Sequence, residues 1–456
     1  MSVKDLGDIH AILGPDAIQR LLAHAAEQAA NPPLPNFYYD SARRDFWMEN
    51  DHGGWVPVNE SAIKRELRMK GFSPKTKEQE FISPVDRAIS QIQKQNDVAY
   101  ASSLAGYESG VYAILGSRVL VTDSPKLVRP VPGEWPVLRE VIAGVLADPE
   151  HQQEEYFLGW LKVALESLHG GKRQPGQCLT LAGPRECGKS LLQALLTVLL
   201  GGREARPYRY MKGSTDFNAD MFQAEHLVIE DQEASTDIRS RRNLGSKIKE
   251  LTVNSAQSCH PKNRQAISLT PFWRLSISVN DEAENLMVLP PLEESLKDKL
   301  IILLARKSPM PMPTETAEQQ ALFWQTLTGE LPHFVHYLFG WEIPEAMRSS
   351  RFGIREFHHP QVIESLGQLS PEVKLLEIID GVLFDGPVPE QWEGSATELE
   401  MELKQNHRWG EEARKLLYFN TACGVYLGRL ARDLPDRITR SRTDKKREWE
   451  IQPSRE

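Results

Sequence analysis

Residues 178–200 read CLTLAGPRECGKSLLQALLTVLL. A strand-length apolar run, Cys178 to Ala182, leads into GPRECGKS, and an apolar helical run broken by Gln193 follows. The octet fits the pattern GxxxxGK[ST] between a strand and a helix. Its chemistry requires that order. The loop of Gly183, Pro184, Arg185, Glu186, Cys187, Gly188, Lys189 and Ser190 can turn backbone N–H groups toward phosphate oxygens. The following helix adds the positive end of its dipole. Gly188 lets the backbone approach closely. Lys189 is expected to reach the β- and γ-phosphates, and Ser190 to help hold Mg²⁺. This motif by itself implies a bound nucleoside triphosphate.

Two further strands suit such a loop. His226 to Asp231 reads HLVIED, an apolar run ending in two carboxylates. Glu230 and Asp231 fit the placing of Mg²⁺ and the activation of water, work that hydrolysis needs and passive binding does not. Arg274 to Val279 reads RLSISV and ends at Asn280. An amide at the tip of that strand can orient an attacking water, although Asn-Asp is also a common turn pair.

The chain has 456 residues, a formal net charge of -9, 40% hydrophobic and 26% charged residues. That length predicts two to four domains at ~100–200 residues each. It buries a core without disulfides. A disulfide-stapled mini-protein, a disordered tail and a protein that coats nucleic acid by bulk charge are excluded. Cys178, Cys187, Cys259 and Cys423 contain no CxxC pair, so reduced thiols in a cytoplasmic protein are expected. The first residues do not read as a secretory signal. No stretch reaches the roughly 18 apolar residues of a membrane span.

Helical periodicity marks Ile9 to Leu22. Aromatic-rich strands follow from Phe37, a helix capped by Asn59, and a hairpin over Gly110 to Val121 turning at Gly116-Ser117. These predict a small α+β domain over 1–130. Pro130, Pro132 and Pro136 punctuate its end. Residues 131–345 hold the loop and its strands, with helices expected over Leu138–Leu146, Glu154–Leu168, Glu318–Leu327 and His333–Phe339. Pro309, Pro311 and Pro313 read as a surface connection. The polar stretch 346–369 reads as a linker; its His358-His359 pair could bind metal, but two neighbours on a flexible link are more often solvated.

Loop, acidic strand and polar strand together resemble the superfamily 3 helicases, a family that includes initiator helicases of small DNA viruses. The phage and plasmid primase-helicase branch, with its poxvirus-type relatives, is the most similar part of it. GPxxxGKS resembles that family's loop, LVIED its acidic motif and SVN its short polar motif, over roughly residues 130–345. The resemblance implies a P-loop, AAA+-like ATPase core of α/β class that uses ATP and Mg²⁺. It implies a ring, a homo-hexamer, on single-stranded and forked DNA, with a primase or other replication partner. It also implies a lysine-bearing segment and a β-hairpin that meets DNA. Lys249 lies in the first, KELT, and His260, Lys262 and Arg264 in HPKNR at the hairpin tip. One position departs. Where the family carries an arginine that reaches a neighbouring subunit's nucleotide, this chain has Lys299. Either Lys299 serves, or Arg306 or Arg274 does, or activation between subunits is weak. A lysine supplies charge without a bidentate fork. Asp40, Asp45, Glu49 and Asp51 sit in hairpin turns with no DxD on an apolar strand, so a helicase part without a primase site is expected.

Residues 370–456 read as a winged helix. Helices are expected from Ser370-Pro371, from a Ser395 cap, and around Thr421 to Leu430 with Val425, Leu427 and Leu430 inward. RITRSRTDKKREWEI, Arg437 to Ile451, reads as the wing. Seven basic residues against three acids over Arg437 to Arg455 suit phosphate contact, with Arg440, Arg442, Lys445 and Lys446 as the candidates.

Overall fold

Four apolar runs stand side by side as strands, joined by a short strand at each edge. In chain order these are β1 (Cys178–Ala182), β2 (Glu204–Ala205), β3 (His226–Ile229), β4 (Arg274–Val279), β5 (Leu300–Leu304) and β6 (Phe357–His358). They form one six-stranded sheet in the order β6-β5-β1-β4-β3-β2, parallel throughout. The computed structural model describes residues 35–76, 80–230, 238–286, 288–368, 371–386, 390–442 and 447–453. The helical pattern of Ile9 to Leu22, and Asp231, Ser370, Lys445 and Lys446, lie outside the described residues.

A parallel sheet needs both faces covered, and its strands are apolar for that reason. In β5, Ile301 and Leu303 join one core while Leu300, Ile302 and Leu304 join the other. The first core is completed by α1 (Pro136–Val145), α2 (Gln153–His169), α3 (Lys189–Leu199) and, late in the chain, a long helix over Ala317–Gly340. The helix Ile238–Val253 lies in the second core through Leu244 and Ile248. We label these last two α5 and α4 respectively. The protein is thus a mixed α/β fold built on a parallel sheet.

The N-terminal part is two small sheets. One has the order 55–58, 45–49, 37–40, 97–98, and packs on helices Glu60–Met69 and Pro84–Gln95. The Asn59 side chain accepts from Ala62 N–H at 2.9 Å, the expected cap. The second sheet comprises 100–102, 117–121 and 110–114. Its hairpin turns at Leu115-Gly116, one residue earlier than expected, with φ of 49° and 82°. Two consecutive positive φ values suit the twist of the flanking strands. A boundary at 130 does not separate the cores. Tyr100, Leu104, Tyr107, Val119 and Val121 pack into the second core of the central sheet. Ala105 donates its N–H to Phe222 O and accepts from Phe272 N–H.

Two expectations for the middle of the chain are corrected. The helices expected at Glu318–Leu327 and His333–Phe339 are one helix, α5, running through Pro332. Proline removes one hydrogen bond. The buried face continues across it through Phe323, Leu327, Leu331, Phe334 and Leu338, and so holds both halves on the core. Residues 346–369 are not a linker. They supply a small hairpin (348–349 with 353–354), β6, and α6 (Pro360–Gln368), and His359 is only 2% exposed. Phe352 and Ile354 are buried too, and apolar contact of this kind was hidden in a polar composition.

Toward the C-terminus, helices Pro371–Leu383, Ala396–Gln405, Gly410–Leu416 and Ala422–Asp433 pack with the sheet 392–394, 447–451, 438–442 around Leu375, Leu399, Tyr426 and Trp449. Ser395 caps its helix through a capping box with Glu398. Val425 faces outward at 36% exposure; Cys423 and Tyr426 point inward with Leu427 and Leu430.

Helix α3 is fixed to the sheet by a closed ring of polar groups, buried except for the half-buried Thr197. Gln193 Nε2 donates to Ser276 Oγ (2.9 Å), and Thr197 Oγ1 reaches Gln193 O (3.2 Å). Between them His226 places Nε2 2.8 Å from Ser276 Oγ and Nδ1 2.8 Å from Thr197 Oγ1. Every hydroxyl in the ring is satisfied if His226 is neutral and carries its proton on Nδ1, an assignment made from the network. Complete burial agrees, pushing its pKa down to about 3. The unfolded chain regains the ordinary value near 6.5. Between those values the unfolded state binds the extra proton, so stability is lost as pH falls. We expect His226 to cost about 1.4 kcal/mol per pH unit below roughly 6.5. Urea unfolding at pH 7 and pH 5 should show this loss in the wild type and a flatter dependence in His226→Gln.

Candidate active site

The carboxyl ends of β1, β3 and β4 meet at one rim of the sheet, and the Gly183–Ser190 loop closes over it. Two glycines make the loop possible. A Cβ on Gly183 would collide with the Ala305 carbonyl oxygen just beyond β5. Gly188 has φ of 95°, and a Cβ there would stand 2.9 Å from Val145 of α1. Glu186 also holds a left-handed backbone, φ 58°, in this loop.

Lys189 is buried and bends back into the loop. Its Nζ donates to the carbonyl oxygens of Gly183 and Pro184, each at 2.7 Å, and to Asn280 Oδ1 at 3.1 Å. Loop and polar strand are therefore joined by one ammonium group. Cys187 is buried beside it, with Sγ 3.7 Å from Nζ. Glu230, just beyond β3, faces the same cavity and pairs with Arg206 at 2.8 Å. Ser190, Glu230 and Asn280 all line this cavity of about 740 Å³. A hydroxyl, a carboxylate and an amide around one ammonium can hold a hydrated divalent cation and a phosphate chain.

Of the expected cofactor residues, Arg185, Glu186, Cys187, Gly188, Lys189 and Ser190 line the cavity, while Gly183 and Pro184 supply the carbonyls that hold Lys189. Residues from further along were missed. Met310, Thr314, Gln320 and Phe323 form the opposite wall. The signal was present: Met310 and Met312 alternate with three prolines. Apolar side chains on a rigid, extended segment imply a surface that packs on something.

Lys299 does not join this site. It lies at the entry of β5, about 16 Å of strand from the loop end. It is 8% exposed, and its Nζ is bound to Asp298 Oδ1 (2.6 Å) and Ser295 O (2.8 Å). Arg274 sits at the same far end, 1% exposed, with Nη1 donating to Gln174 O at 3.1 Å. Arg306 follows β5 at the loop end, its N–H bonded to Val145 O.

The expected DNA-facing residues fall on other surfaces. Lys249 belongs to α4 and pairs with Glu293 at 3.3 Å. The hairpin exists: Gln257–Cys259 pairs antiparallel with Ile267–Leu269, and His260, Lys262 and Arg264 are exposed on its tip. The base of the tip is held by Asn218, which accepts from His260 N–H (2.7 Å) and donates to Ser258 O (2.9 Å). Arg264 also faces Arg43 and Tyr100 of the N-terminal sheets across a small cleft. Arg440 lies over the Trp449 ring and, with Arg429 and Arg432, lines a groove of about 490 Å³. Arg442 ends its strand opposite Arg447.

A family model described as a family of unknown function (DUF5906) matches residues 181–293, which span the loop, Glu230, the hairpin and Asn280. No curated protein matches the sequence. The solved structure of the apo NrS-1 C-terminal region (305–718) aligns with 12% identity and a TM-score of 0.53, covering 91% of this chain and 95% of that one. Its A-form apo structure aligns with 12% identity and a TM-score of 0.52, covering 92% and 96%. An SCCmec type IV Cch helicase aligns at a TM-score of 0.31 and 9% identity, covering 87% of this chain and 72% of that one, too weak a likeness to carry an argument.

The loop's packing gives a direct test. Gly183→Ala should lower stability by about 1–3 kcal/mol, because the obstruction is backbone and cannot swing away. Gly329→Ala, at an open position on α5, should be neutral or slightly stabilising. Denaturant unfolding of both variants checks the contrast. At these identities the solved structures show that the chain shares the fold of the NrS-1 C-terminal region.

Proposed function

We propose that the protein is an ATP- and Mg²⁺-dependent hydrolase that works as a DNA helicase or replication-initiation ATPase of a phage, plasmid or mobile element. The observation that carries this reading is the convergence of Lys189, Asn280, Glu230 and Ser190 on one cavity at the carboxyl rim of the parallel sheet. The strand order β5-β1-β4-β3-β2, with the loop after the central β1, supports a P-loop, AAA+-like core. The likeness of GPRECGKS, LVIED and SVN to superfamily 3 motifs supports the primase-helicase branch.

In this reading a phosphate chain replaces the loop carbonyls as the partner of Lys189. Ser190 and Glu230, with Asp231, hold Mg²⁺, which neutralises charge on the phosphates. Asn280 orients the attacking water. His260, Lys262, Arg264 and Lys249 meet single-stranded DNA inside a hexameric ring, where exposed basic tips track a phosphate backbone. The last helices and strands act as a winged helix, with Arg440, Arg442, Lys445 and Lys446 on duplex or forked DNA. Residues 1–130 provide a collar or a surface for a primase or other replication partner. A cytoplasmic location fits four unpaired cysteines, all of them buried; no described helix is long and apolar enough to cross a membrane.

A second reading is a DNA-binding switch, loader or defence ATPase that turns over slowly without processive unwinding. Two observations favour it: Arg206 occupies the Glu230 carboxylate, and Lys299 is buried and paired, poorly placed to serve a neighbouring subunit.

ATP turnover with and without single-stranded DNA, with a forked duplex in the same tube, separates these. DNA should stimulate the wild type. Lys189→Ala should lose about 10²–10³ in turnover. His260→Ala should hydrolyse but leave the fork closed. Turnover that ignores DNA, with no unwinding by the wild type, sinks the motor and leaves the switch.

A further inference from the structure

Asp148, His151 and His359 meet where the turn after α1 packs on the start of α6. Asp148 Oδ2 stands 2.9 Å from His151 Nδ1 and 2.9 Å from His359 Nε2. The potential ligand atoms of all three lie within 4.8 Å of one another. The Asp148 and His359 side chains are each 3% exposed, and His151 opens to solvent at 33%. His359 Nε2 is wholly buried. Its partner is the Asp148 carboxylate, and together they set a nitrogen and an oxygen donor side by side away from water.

The cluster is built rigidly. Gln153, fully buried, clamps the 146–153 turn to β5: its Nε2 donates to Leu146 O (3.1 Å) and Leu304 O (2.8 Å), and its Oε1 accepts from Leu304 N–H (2.8 Å). His359 donates its N–H to Ile302 O of the same strand (2.9 Å). One strand therefore sets the spacing of all three side chains. Asp148 Oδ1 accepts from Glu150 N–H (3.2 Å) and contacts His151 Nδ1 (3.1 Å). His359 Nδ1 accepts from Gln361 N–H at 3.3 Å, the longest contact in the group.

We infer that Asp148, His151 and His359 form a binding site for one zinc-type divalent transition ion. Two imidazole nitrogens and one carboxylate oxygen are the donors such ions prefer, and three protein ligands leave a position for water. At metal–ligand lengths of about 2.0–2.1 Å, tetrahedral ligand atoms stand about 3.3 Å apart, a few tenths wider than the two Asp148–histidine distances. With Nδ1 accepting from Gln361, the neutral His359 ring carries its one proton on Nε2; to ligate there it moves that proton to Nδ1, and the Gln361 contact is given up. The ion would pin β6 and α6 to the turn after α1, whose Val145 backs the Gly183–Ser190 loop. The inference does not depend on the nucleotide reading.

The test uses the full chain, stripped with a chelator and titrated with Zn²⁺ and then Co²⁺ without nucleotide. We expect one ion per chain, a raised melting temperature and a Co²⁺ spectrum free of thiolate bands. His151→Gln should weaken binding at least about 100-fold while the metal-free melting temperature is kept. Asp148→Asn should do the same, and Lys189→Ala should bind as the wild type does. Lack of a stoichiometric ion, equal binding by His151→Gln and wild type, or a thiolate spectrum would overturn the site.

Discussion

The loop end of the central sheet depends on how α3 is held to the strands. An apolar helix on an apolar sheet can slide, since hydrophobic contact has no direction. The ring through Gln193, Ser276, His226 and Thr197 removes that freedom. Each bond contributes only about 1 kcal/mol net, but a slip leaves several buried groups unsatisfied, which costs more. Helix α3 begins at Lys189, β3 leads to Glu230 and β4 to Asn280. Fixing helix to strands therefore fixes Lys189, Glu230 and Asn280 relative to one another where they face the cavity.

How this end of the chain folds was legible in the sequence because its rules are local. A glycine loop between a strand and a helix, and apolar runs ending in a polar residue, read correctly without any knowledge of partners. The polar ring was legible only in pieces. Gln193 interrupts an apolar helix, His226 opens an apolar strand, and Ser276 breaks another. Each looks like an isolated blemish until the fold brings them together. Lys299 is a different case: the role expected of it lies across a subunit boundary, and within this chain it is buried and paired with Asp298 at the far end of β5 from the loop. Residues 346–369 misled through composition. Their charged residues point outward and hide Phe352, Ile354 and His359, which do the packing. The cavity wall from Met310 to Phe323 was missed because prolines read as a connection, although here they stiffen a surface.

Charge is distributed to match. In a chain of net charge -9, the hairpin tip and the groove by Trp449 each bring several basic side chains together locally. Short clusters act within about a Debye length, roughly 8–10 Å in ordinary salt. Each cluster must then meet its anion at close range, and the folding of hairpin and C-terminal sheet sets what can come that close. The cysteines are the reverse case. Burial pushes the Cys259 and Cys423 thiols up to about 12, so they behave as packing groups.

The second N-terminal sheet bears on how such a chain could be assembled from parts. Tyr100, Leu104 and Tyr107 complete a core they share with the central sheet, and Gly106 N–H is held by the buried Glu225 carboxylate at 2.8 Å. Recombination that exchanged front modules at the prolines near residue 130 would strip that core and leave Glu225 without this partner. A joint at Ala99, between strand 97–98 of the first small sheet and strand 100–102 of the second, would leave that core whole. The unit that keeps the core of the central sheet whole therefore starts some thirty residues earlier than the proline-rich seam suggests.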